Sequence, residues 1–100
     1  MKKVRIKVVR KANYVDLQAI YENPIEHACT VNLNDEWISD GWNKPEGFCD
    51  SAWDSIKDFV RELGAGGGNF YDGWMINPKS AMLSCNDGFR PVSFLIETIE

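Results

Sequence analysis

The chain has one histidine and three cysteines in 100 residues. A single His supports no Ser-His-Asp arrangement, and no nucleophile-elbow motif is present. An odd cysteine count without a visible secretory leader argues against a disulfide framework and for the reducing cytoplasm. No apolar run approaches the roughly 20 residues a membrane-spanning helix needs, so no membrane association is expected. Basic charge is also scarce: 11 Lys and Arg stand against 15 Asp and Glu, for a net charge of −4. That balance counts against a phosphate-backbone binder, so nucleic acid is not an expected partner. The basic residues of the N-terminal segment, among them Lys3, Arg5 and Lys7, alternate with apolar ones and read as the solvated face of a strand. There is no internal repeat, linker or low-complexity stretch, and the length suits one domain spanning residues 1–100.

Apolar and aromatic residues are plentiful. Hydrophobic residues make up 44% of the chain, with four Trp and five Phe. Over Lys2 to Lys11, Val4, Ile6 and Val8 alternate with charged residues, the pattern of a half-buried strand. Asn13 offers a helix cap, and Tyr14, Leu17, Ile20 and Tyr21 follow at helical spacing until Asn23-Pro24. Cys29 to Leu33 alternates as a short strand, Asn34-Asp35 reads as a turn, and Glu36-Trp37-Ile38 as a second short strand, together a small hairpin. Ser39 to Gly47 reads as loop. The clearest helix runs from about Asp50 to Leu63. Asp50 or Ser51 is its expected cap, Asp54 completes a capping-box pattern, and Gly64 is the expected left-handed terminator. Ser80 to Cys85 and Val92 to Ile99 read as strands around an Asn86-Asp87-Gly88 hairpin turn. These elements predict an α+β fold: a mainly antiparallel sheet of four or five strands, one long amphipathic helix packed on it, and a short N-terminal helix. A small barrel-like sheet plugged by the helix is the alternative.

Cys29, Cys49 and Cys85 each stand beside a different element end, where a fold can gather distant residues. With His27, two residues before Cys29, they supply a Cys₃His set of the kind zinc accepts, though only one close ligand pair exists. The competing expectation is that all three are small core residues, since free cysteines are among the most buried types. Cys49 also precedes a helix, where backbone amides favour a thiolate, while Asp50 and Asp54 oppose it. The triple glycine Gly66-Gly67-Gly68 follows a helix rather than preceding one and lacks the Lys-Ser/Thr of a phosphate loop. Beyond it, Phe70, Tyr71, Trp74 and Met75 either fold back as core or form a pocket or subunit contact. Arg90 is placed to pair with Asp87 or with a ligand carboxylate.

Together, Cys29, Asp35-Glu36, Pro45-Glu46-Gly47-Phe48-Cys49, Ala52-Trp53, Gly67-Gly68, Phe70, Trp74, Cys85, Asp87, Pro91-Val92 and Phe94 resemble a family of short uncharacterised microbial proteins with no assigned activity. The resemblance covers nearly the whole chain. It implies that the three cysteines recur together. This chain departs from the family pattern at Thr30 and Asn86, where members often carry Pro after a cysteine, at Asn34, where they often carry Gly, and in a longer stretch between Phe70 and Trp74. Three functions follow as expectations. The first is a cytoplasmic binding protein with a cysteine site, for which zinc is the best-fitting metal. The second is a homo-oligomeric interaction module with Phe70, Tyr71, Trp74 and Met75 as its contact surface, Arg90 being a binding residue for an acidic group in the third. The third is an enzyme with Cys49 as nucleophile.

Overall fold

Alternation in the first ten residues builds the centre of the sheet. A computed structural model describes residues 1–24 and 30–99. Its elements are β1 (Val4–Lys11), α1 (Val15–Tyr21), β2 (Glu36–Ser39), α2 (Asp50–Gly64), β3 (Ser80–Ser84) and β4 (Val92–Thr98). The four strands form one antiparallel sheet in the order β2-β1-β4-β3. Among the described residues the architecture is thus α+β, with a four-stranded antiparallel sheet and two helices. On the inner face Ile6 pairs with Ile96, and Ile96 with Ala81; all three are fully buried. Ala52, Trp53, Ile56, Val60 and Leu63 of α2 close over them as one buried stripe. Each large side chain so buried contributes about 1.5–3 kcal/mol before conformational entropy is counted. The two ends of the described chain meet, with Ile99 N–H donating to the Lys3 carbonyl at 3.1 Å.

Several local expectations change. Residues 30–33 form no strand. Asp35 carboxylate accepts the Asn32 N–H at 2.8 Å, closing a turn, and the backbones of Asn34 and Asp35 bond to Val8. β2 consequently pairs with β1 rather than with its predecessor. In α1 the cap position is Tyr14, without a side-chain bond, while Asn13 carboxamide oxygen accepts from Gln18. No residue of α1 is buried: its apolar side chains Val15, Leu17, Ile20 and Tyr21 are all exposed. Spacing alone gives a helix its stripe but not a surface to lay it on. The β3–β4 connection is a longer loop with no positive φ at Asp87 or Gly88. Asp87 Oδ1 instead accepts the N–H groups of Phe89 at 2.8 Å and Arg90 at 3.3 Å, an Asx-type closure.

The glycine that terminates α2 is Gly66 (φ +91°), not Gly64. Gly66 N–H donates to Leu63 O and Gly67 N–H to Glu62 O, both at 2.9 Å, the paired bonds of a Schellman ending. Lys79 Nζ adds bonds to the carbonyls of Gly66 and Gly67, at 2.7 and 3.1 Å. Gly64 has a different task. It lies against Gly41, where an added Cβ would collide with the carbonyl oxygen and stand 2.6 Å from Cα. Gly41 (φ +99°) is held there by its neighbours: its N–H donates to Ser39 Oγ at 3.1 Å, and the Asp40 carboxylate accepts from Asn43 and Trp42. The Asn43 N–H and carboxamide, followed by Trp42 N–H, hold the Asp40 carboxyl down to about 2. The contact presses the end of α2 onto the loop after β2. Gly64→Ala is expected to lower the urea midpoint by the equivalent of about 2–3 kcal/mol, more than the roughly 1 kcal/mol expected for Gly66→Ala. Equal midpoints for the two variants would remove the close approach as the reason for Gly64.

Candidate functional site

Phe48 seeds the site. Gly47 (φ +81°) turns the chain and Phe48 N–H closes onto Pro45 O at 3.2 Å, which drives the ring inward. The ring is 3% exposed. It meets Trp37 edge-on at 4.9 Å, Phe94 at 5.3 Å and Trp53 edge-on at 6.4 Å between centroids. Lys44 Nζ donates to Phe48 O at 2.7 Å and pairs with Asp50 at 3.1 Å. With the ring fixed, the next residue, Cys49, becomes the extended cap of α2 and stays exposed. Cys49 makes no side-chain cap bond, and the Ser51 hydroxyl, an expected cap, donates to Asn86 Oδ1 at 2.7 Å. That bond ties the start of α2 to the β3–β4 loop.

Between those two segments lies a cavity of about 300 Å³. Its lining is mainly apolar, with Val31, Phe48, Ala52, Val92 and Phe94 below and Cys49, Ser51, Cys85, Asn86, Asp87 and Arg90 around it. Cys85 is half-buried and packs against the core. Its N–H donates to Val92 O at 3.0 Å, and the Val92 N–H donates back to Cys85 Sγ at 3.3 Å. The sulfur is therefore held in place from the backbone side.

Arg90 faces the cavity but is already paired. Nη1 and Nη2 each lie 3.0 Å from a different carboxylate oxygen of Glu22, and Nη2 donates to Gln18 Oε1 at 2.9 Å. The hydrogen bond it donates to Glu22 is the first cause holding its pKa above the ordinary arginine value. Asp87, the expected partner, takes the Arg90 backbone N–H instead. Arg90 therefore acts first as a clamp between the β3–β4 loop and the otherwise unburied α1.

Of the sequence candidates, Cys49 and Cys85 share this cavity. His27 and Cys29 lie outside the described residues, two and four positions before Val31 for Cys29 and His27 respectively. Among the described residues no group of three or more His, Cys, Asp or Glu is arranged to hold a metal ion. The aromatic loop belongs to the other end of α2, a helix about 22 Å long. There the expectations divide: Phe70 packs at 4.9 Å on Phe59 against the core, whereas Tyr71 and Trp74 face outward as an edge-on pair at 5.3 Å. Met75 is half-buried. Sequence reasoning missed Phe48 and Asn86 as site residues. A single aromatic in a loop has no periodicity, and a hydrogen bond between Ser51 and Asn86 leaves no local sign.

No protein-family model, curated protein or solved structure matches this chain. No helix among the described residues is long and apolar enough to cross a membrane.

Replacing Arg90 with Ala should release α1. Amide exchange over Val15–Tyr21 is expected to accelerate roughly tenfold or more while α2 and β4 keep their protection. Unchanged exchange in α1 would remove the clamp.

Proposed function

We propose that the chain is a small binding protein whose site is the cavity between the start of α2 and the β3–β4 loop, with Cys49 and Cys85 as its reactive groups. The observation carrying this reading is that two thiols far apart in sequence line one cavity over an apolar floor. The volume stands at the lower end of ordinary small-ligand sites, and few polar groups interrupt the lining. A cytoplasmic setting belongs to the same reading, because free thiols persist in a reducing compartment. A zinc centre is the metal form of the proposal and draws its further ligands from Cys29 and His27. Metal content, measured by mass spectrometry on untagged reduced protein together with thiol counting, tests that form. One zinc per chain, with thiols shielded until chelation, supports it. No metal and freely titrating thiols reject zinc and leave the cavity as a site for an organic or other thiophilic ligand.

A second reading is favoured by the outward pair Tyr71 and Trp74. In it the loop is the contact surface of a homo-oligomer. Its backbone holds Asn69, Tyr71 and Asp72 at positive φ, a conformation that costs a non-glycine residue about 1–2 kcal/mol. Asn69 stabilises it by accepting the Gly73 N–H at 3.0 Å. Trp74→Ala should convert an oligomer to a folded monomer in gel filtration. An unchanged elution volume rejects this reading.

A further inference from the structure

We propose that Cys49 and Cys85 act as one dithiol site for a thiophilic centre that accepts two sulfurs and carries an apolar substituent, the chemistry of a trivalent aryl arsenical. The inference rests on the cavity reading above and names its ligand class.

Three features carry it. The Ser51–Asn86 bond fixes the two cysteine-bearing segments to each other, and each cysteine lies within two residues of that bond. Short covalent paths from a fixed contact limit how far apart the thiols can stand. Cys85 is held by the paired bonds with Val92, while Cys49 is exposed at the helix start and lines the same cavity. The floor beneath them, Phe48, Val92 and Phe94, is buried and apolar, a surface for an aryl group rather than for a hydrated ion. A hard divalent cation seeks an oxygen cage, and no such cluster is present among the described residues. Soft centres select sulfur.

The bonding step is a condensation. Each cysteine gives up its S–H proton, two As–S bonds form, the arsenic–oxygen bond of the arsenoxide breaks, and the oxygen leaves with both protons as water. Arsenic stays trivalent, so no oxidant or reductant takes part.

The test titrates the reduced full chain with phenylarsine oxide in the presence of excess monothiol, reading intact mass and then a peptide map. One phenylarsenic group per chain is expected, bridging the Cys49 and Cys85 peptides and released by a competing dithiol. Cys49→Ser and Cys85→Ala should each weaken binding by about 100-fold or more, because one thiol lacks the effective concentration of its partner. Arsenite, which has no aryl group, should bind the wild-type chain more weakly than phenylarsine oxide. The map on the wild-type chain reads the bridge even where a variant folds poorly. A bridge that uses Cys29 in place of either residue, or two arsenic groups added independently, overturns the dithiol site and leaves the cavity reading standing. Failure of iodoacetamide to label either thiol in the folded chain overturns the cavity reading and the dithiol site together.

Discussion

Burial of Phe48 is the constraint on which the site depends. Its ring sits among Trp37, Trp53 and Phe94, one from β2, one from α2 and one from β4. Truncating such a ring typically costs 3–5 kcal/mol through lost transfer and the void left behind. More than stability follows from it. A residue anchored inward sets the direction of the next peptide, so Cys49 must leave the core and open α2 at the surface. The same ring forms part of the cavity floor. Packing and site therefore share an atom set, and a change made for one acts on the other.

The sheet and α2 were legible because their signals are periodic. Val4, Ile6 and Val8 occur at every second residue, and Ala52, Trp53, Ile56, Val60 and Leu63 form one helical stripe; each pattern needs only its own segment to be read. The misreadings come from places where a side chain bonds locally. Asp35 closes a turn on Asn32, so the hairpin expected before β2 is not formed within residues 30–33. Ser51 reaches across to Asn86 rather than back to its own helix. Gly64 was read from its helix-end position as the residue with positive φ, when its need is for closeness to Gly41. Of the three cysteines read at element ends, Cys49 and Cys85 line one cavity and Cys29 lies outside the described residues. Phe48 was not found, because contact between one loop aromatic and three separate elements is a property of the assembled core alone.

α2 divides the molecule's chemistry by its two ends. The N-terminal end presents a thiol and a concave apolar floor. The C-terminal end is closed by its glycines, and the Lys79 ammonium bonds the carbonyls of Gly66 and Gly67 just beyond it, near the end where the helix dipole favours a cation. α1 belongs to neither arrangement. It buries nothing and is attached by Arg90 and by the Tyr14 N–H to Phe89 carbonyl bond at 2.9 Å, so its order depends on polar contacts with the loop that also bounds the cavity.

The central pair of the sheet, β1 with β4, joins the first strand of the sequence to the last. A ribosome delivers β1 long before the strand that covers its inner edge. Throughout that interval a ribbon of Val4, Ile6 and Val8 waits with only β2 available beside it, and the nascent chain keeps an unpaired apolar edge until synthesis has passed Thr98. The charges that alternate with those residues then matter most: Lys3, Arg5 and Lys7 give the waiting strand a repulsive face toward its own copies on neighbouring ribosomes, where unprotected edges of this kind aggregate.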